Sequence, residues 1–137
     1  MYRKIIFPVD LTHIDQLTHA LQTAIDLARH YGAELCFVGV TSAAPNAGAR
    51  NPKEYEARLQ AFAEQQGAAH GLDTSHKACV SHDPSIDTEK TLLSAIAELG
   101  GDLVIMQTHI PNMLDYVWSG HGGTIAAHSD VSVFLVR

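Results

Sequence analysis

Between Asp102 and Arg137 the chain carries residue types suited to holding an anionic ligand. The segment Ser119-Gly-His-Gly-Gly-Thr124 sets Gly120, Gly122 and Gly123 around His121, just ahead of a short helical pattern. Glycines admit close backbone approach, and N–H groups at a helix start are natural partners for phosphate. A tight loop needing positive φ is the alternative use of the same glycines. Upstream, the loop Gln107-Thr-His-Ile-Pro-Asn112 offers Gln107, His109 and Ile110. Near the N-terminus, Asp10 closes an apolar run; its carboxylate suits a ribose hydroxyl or a phosphate-bound metal, or the capping of the loop that follows. The stretch from Asp102 contains no Lys or Arg before Arg137, so cations for a phosphate must come from histidine or from elsewhere, such as Arg50 or Lys53.

Other chemistries find less support. Nine histidines invite a metal reading, but no His-x-His or His-x3-His pair exists and neither cysteine has a nearby partner. Only a convergence of His109, His121 and Asp10 would make a metal site. A nucleophile elbow, a Walker A loop and a Gly-x-Gly-x-x-Gly fingerprint are all absent from the sequence.

The elements that must position these residues alternate strand and helix, which implies βα units around a parallel sheet. Strand 1 is expected over Lys4–Val9, ending at Asp10. A helix is expected from about Ile14 to Tyr31, with Thr12 and Asp15 as a capping box and Gly32 as its stop. Strand 2 spans Glu34–Thr41, followed by a loop of small residues over Ser42–Asn51. Asn51-Pro52 then caps and opens a helix running to about Gly71, with Tyr55, Leu59 and Phe62 as its apolar stripe. Strand 3, about Ser75–Val80, is short and partly polar, as befits a sheet edge. After a turn at Ser81-His-Asp-Pro-Ser85, a helix burying Leu92, Leu93, Ile96 and Leu99 runs to Gly100-Gly101. Asp102-Leu-Val-Ile-Met106 is strand 4, and Val131–Val136 is strand 5.

Five such strands suggest an α/β, single-domain, doubly wound (Rossmann-like) parallel sheet of order 3-2-1-4-5 with helices on both faces. Ligands bind such sheets in the crevice beyond the strands' carboxyl ends, where strand order reverses. That crevice would be lined by Pro8, Val9 and Asp10, by Met106, Gln107, His109 and Ile110, and by Val40 from strand 2. Topology thus points to the same place as the glycines.

Composition bounds the rest. At 137 residues, 46% hydrophobic and 18% charged, the chain is one globular domain. Its formal charge of −6 argues against nucleic acid or an anionic membrane as a partner. No stretch reaches the ~20 apolar residues of a membrane span. Cys36 and Cys79 fall within strands and read as small buried hydrophobes, consistent with a cytoplasmic protein.

Several of these segments together resemble the universal stress protein family over essentially the whole chain. Ile5-Ile-Phe-Pro-Val-Asp10 looks like that family's first strand, Gly32-Ala-Glu-Leu35 like its approach to strand 2, and Asp102–Met106 like its fourth strand. Ala127-His128 and Val133-Phe-Leu-Val136 are similar to its closing helix and strand. Thr108-His-Ile-Pro111 followed by Tyr116 is most similar to the bacterial F/G-type subgroup. The resemblance implies a regulatory protein of the stress response that binds ATP or AMP, with or without Mg²⁺. It implies no catalysis beyond slow hydrolysis, and a homodimer paired through the last strand, Val131–Val136. The alternative is a dimer of the same fold that binds no nucleotide and acts through protein partners.

Family members that bind ATP carry Gly-x2-Gly-x9-Gly-Ser/Thr. Here Gln107 and Ile110 stand at the first two glycines. Counted forward, Gly120 fills the third and His121 replaces the hydroxyl residue; counted back from His128, Ser119-Gly120 stands in swapped order. Two missing charge-assisted hydrogen bonds, at roughly 1.5–3 kcal/mol each, amount to about a hundredfold to ten-thousandfold in affinity. The implied site residues are Pro8, Val9, Asp10, Val40, Met106, Gln107, His109, Ile110, Ser119, Gly120, His121 and Gly122.

Overall fold

The computed structural model describes residues 1–45, 49–107 and 121–137. Five parallel strands form one sheet in the order β3-β2-β1-β4-β5, the order expected from the sequence. The strands are β1 (Lys4–Pro8), β2 (Glu34–Ser42), β3 (Thr74–Ser81), β4 (Leu103–Gln107) and β5 (Ser132–Val136). The helices are α1 (Thr18–Tyr31), α2 (Pro52–His70), α3 (Pro84–Leu99) and α4 (Gly122–His128).

The middles of the central strands are apolar because both of their faces are covered. Ile5, Ile6, Phe7, Leu35, Phe37, Val104, Ile105 and Met106 are fully buried, as parallel sheets require. Phe37 lies edge-on to both Phe7 and Phe62, linking β1 and β2 to α2. β3, with half-buried residues along most of its length, is an edge as its polar sequence suggested. At the opposite edge β5 leaves Phe134 and Leu135 exposed (45% and 41%) while Val136 is buried.

Helix ends follow the chemistry of their caps. Asn51 accepts the N–H of Glu54 at the start of α2, with Pro52 in the first turn. Gly32 and Gly71 end α1 and α2 with φ of 63° and 65°, a left-handed geometry that favours glycine.

The strand ends fall within one residue of expectation, and three differences bear on the site. Asp102 precedes β4; its carboxylate accepts the backbone N–H groups of Arg3 (2.9 Å) and Lys4 (3.1 Å), and its own N–H donates to the Lys4 carbonyl (3.0 Å), tying the start of β1 to the start of β4. Gln107, expected in the loop after strand 4, is the last residue of β4, paired with Val136. The helix expected from Ile14 is instead two pieces: a 3-10 segment over Leu11–Gln16 and then α1 from Thr18. The Thr12–Asp15 capping box gives way to a cap by Asp10.

Candidate functional site

β1 continues past Pro8 through a hydrogen bond from the Val9 N–H to the Val38 carbonyl (2.9 Å). It thereby delivers Asp10, in extended conformation, to the carboxyl end of the sheet. There the Asp10 carboxylate, 5% exposed, gathers the next turn around itself. Oδ1 accepts from the Thr12 N–H (3.1 Å) and the Thr12 hydroxyl (2.7 Å), and Oδ2 lies 2.7 Å from His13 Nδ1. His13, itself 7% exposed, sits at the kink of the 3-10 segment with φ −127° and ψ 26°. The local role set out for Asp10 as the alternative to ligand binding is therefore filled.

Strand register sorts the crevice candidates by face. Pro8 pairs with Val38, and Ile6 with Cys36 and Val104. Side chains alternate along a strand, so Pro8, Val40 and Met106 point to one face, and Val9 and Gln107 to the other. The first face is the one covered by α3, since Lys77, the register partner of Val38, reaches Glu98 there. β1 and β4, the neighbours whose connections leave in opposite directions, thus bring Pro8 and Met106 together, with Val40 one strand away. Pro8 ends β1 and Met106 is the last but one residue of β4, at the topological switch point where α/β sheets hold ligands, while Val40 lies two residues before the end of β2; all three are buried.

His121 is the residue before α4, and its side chain makes no capping bond to that helix. Its Nδ1 instead lies 2.6 Å from Glu89 Oε1 on α3. Gly122 and Gly123 belong to the first turn of α4 rather than to a loop, which corrects the Gly122–Thr124 part of the expected loop. Neither has positive φ: the described glycines that do are Gly32, Gly71 and Gly100. A β-carbon on Gly123 would meet no atom within 4 Å, so close packing does not require that glycine. His109, Ile110, Ser119, Gly120, Tyr116 and Trp118 lie outside the described residues. Arg50, a candidate supplementary cation, is paired with Glu54 (3.2 Å) and 90% exposed, while Arg58 takes the other oxygen of that carboxylate (2.6 Å).

Three participants were missed by sequence reasoning. His13 lies three residues after Asp10, close enough in sequence for a local pair. Tyr55, assigned to the core, is buried, but its phenol also feels the negative charge of Asp10; burial first and that charge second hold it above its ordinary range. Glu89 had no signal, because its partner is 32 residues away. A groove of about 470 Å³ between β3 and α3, lined in part by Lys77, Cys79, Ser81 and Ser94, belongs to the sheet edge rather than to the crevice. No group of three potential metal ligands occurs among the described residues.

A profile of the universal stress protein family matches residues 1–137. The chain belongs to the universal stress protein family. Solved universal stress proteins share its fold at low identity. One in complex with cAMP is 16% identical with a TM-score of 0.70, over 99% of this chain and 97% of its own. A family protein from Burkholderia pseudomallei is 20% identical at 0.70, over 98% and 96%. One from Archaeoglobus fulgidus in complex with dAMP is 14% identical at 0.68, over 99% and 98%. Among curated proteins, none matches the chain in sequence. As a universal stress protein, the chain has a five-stranded parallel sheet with helices around it.

Proposed function

We propose that this universal stress protein binds an adenine nucleotide as a regulatory ligand, in the crevice between the carboxyl ends of β1 and β4. The observation that carries this reading is the convergence of Pro8, Val40 and Met106 on one face at the switch point. In this reading the apolar trio faces the base, and the Gln107–Ile110 and Ser119–Gly122 segments serve the sugar and phosphate. Relatives of the same fold in complex with cAMP and dAMP support the ligand class. The absence of Lys and Arg from Leu103 to Val136 favours AMP over ATP, because fewer phosphate charges then need partners. Mg²⁺ would offset part of the deficit for ATP. Catalysis is at most slow hydrolysis.

The whole of residues 1–137 acts as one universal stress protein domain of the F/G-type, a cytoplasmic homodimer in the stress response. Exposed Phe134 and Leu135 on the edge strand β5 support pairing of that strand with its copy, because an open apolar edge needs a cover. No helix among the described residues is long and apolar enough to cross a membrane.

A second reading has its own observation. Both oxygens of Asp10 are already occupied by Thr12 and His13, which favours a dimer that binds no nucleotide and works through protein partners. Thermal melting with AMP or ATP, with and without Mg²⁺, separates the two. A rise in melting temperature that saturates with nucleotide supports the first; none at millimolar nucleotide leaves the second.

A further inference from the structure

We infer that β3 is a docking edge for an extended segment of a partner protein, which adds to the sheet as a further strand. β3 ends the sheet opposite β5, so this surface is separate from the crevice and from the proposed dimer edge. Open edges in native proteins are ordinarily blunted by a bulge, a proline, free charges or short length. β3 has none of these. Its eight residues pair with β2 in unbroken register, from Leu35–Thr74 to Ser42–Ser81, and include no proline. Its charged and imidazole side chains are drawn over the faces of the sheet, Lys77 to Glu98 of α3 (3.5 Å) and His76 to Glu56 of α2 (3.8 Å). Apart from Met1, the exposed large apolar side chains of the described residues gather at the two edges: Phe134 and Leu135 on β5, Val80 (51%) on β3, and Ile86 in the helix that follows β3.

The groove beside this edge selects the side chains of the incoming segment. Lys77, Cys79 and Ser81 face α3, and His76 and Val80 the opposite side, because side chains alternate along a strand. Along the α3 wall run Asp87, Lys90, Thr91 and Ser94, whose spacings of three and four set them on one helix face. Lys77 is matched by Glu98, whereas the side chains of Asp87 and Lys90 have no ion pair among the described residues. The Lys77–Glu98 contact shows that α3 runs back along β3. Asp87 therefore lies toward the strand's carboxyl end and Lys90 nearer its middle. The two are ~4.5 Å apart along the helix axis, against ~6.8 Å for two residues of a strand, a difference that flexible side chains span. An antiparallel partner, the more stable pairing, thus carries a basic residue and, two positions later, an acidic one on the face toward α3. An apolar residue of its other face covers Val80. In strand addition of this kind the backbone supplies affinity and the alternate side chains supply specificity. Docking here requires no nucleotide in the crevice.

The test uses a short fluorescein-labelled peptide with valine and threonine on one face and, on the other, a lysine followed two positions later by a glutamate. Fluorescence anisotropy with the full chain is expected to show saturable binding. Exchanging the lysine and glutamate of the peptide should weaken it about tenfold, as two exposed ion pairs become two repulsions. Asp87→Lys combined with Lys90→Glu should reverse that preference. In the unmodified protein, bound peptide should slow hydrogen exchange at outward-facing amides of β3 and leave those of β5 unchanged. Absence of binding by either peptide at millimolar concentration overturns the proposal. So does binding indifferent to charge order in both proteins, or protection that falls outside β3. Protection of β3 that grows with protein concentration and without peptide assigns the edge to a second copy of the chain and overturns it too.

Discussion

Gly39 and Tyr55 compete for one space. A β-carbon on Gly39 of β2 would overlap the phenol oxygen of Tyr55 from α2 and stand 2.9 Å from its Cζ. The glycine is there so that the buried phenol can lie flat against the strand. Gly39→Ala should destabilise the protein by about 1–3 kcal/mol, the usual cost of overfilling a packed core. Adding Tyr55→Phe removes the overlapping oxygen and should recover part of that loss, so the two changes will not add. Urea unfolding of the two single variants and the double variant measures the coupling. Simple additivity would mean that the contact has been misassigned.

The Asp10–His13 pair anchors the turn that leaves β1. Asp10→Ala strips the cap from the 3-10 segment and removes the carboxylate that lies 2.7 Å from buried His13. Hydrogen bonds to a charged group contribute roughly 1.5–3 kcal/mol, and a loss of that order is expected in urea unfolding. Asp10→Asn, which keeps an acceptor for Thr12, should lose less. Equal stability of all three proteins would contradict a structural role for the carboxylate and return it to the ligand.

Much of this architecture was legible in the sequence, because its causes are local. The apolar runs of β1, β2 and β4, Asn51-Pro52 before α2 and the glycines after α1 and α2 each mark an element within a few residues. What could not be read depends on contacts between distant residues. The Asp102 carboxylate is claimed by the N–H groups of Arg3 and Lys4, across 99 and 98 residues. The helix after β1 breaks because Asp10 draws His13 inward. Gly122 and Gly123 suggest a loop on propensity alone, yet they open α4, whose Ile125 is fully buried. Around the candidate site, the strand order that sets Pro8 beside β4 was readable, whereas the link from His121 to Glu89 was not.

Both cysteines should be slow to react near neutral pH. Burial pushes the Cys36 thiol above its ordinary value of 9.0, against a smaller opposing hydrogen bond from Ser75, and burial raises Cys79 as well. Only the thiolate is a good nucleophile. Labelling at pH 7.5 should therefore be slow in the native protein and fast in urea. The linkage has a definite sign. Below about pH 9 the thiols are protonated in both states and contribute no slope. Above it the unfolded chain ionises first, so stability falls as pH rises toward the raised native values. Tyr55 adds to the fall above its ordinary value of 10.0. A urea midpoint that rises between pH 8 and pH 10 would contradict these assignments.

The β5 edge carries the proposed dimer. Phe134→Lys places a charge on the exposed edge and should weaken self-association by roughly tenfold to a hundredfold, the effect of losing an interface anchor. Light scattering across a concentration series measures it. A dimer unaffected by Phe134→Lys and by Leu135→Lys would move the interface elsewhere.

The central claim is that the crevice beyond β1 and β4 holds an adenine nucleotide, and titration calorimetry of the purified protein with AMP tests it most directly. The expected result is saturable binding at one site per chain, weakened by a bulky Val40→Trp change on the apolar side of the crevice. Absence of binding heat at millimolar AMP, at two temperatures, would contradict it.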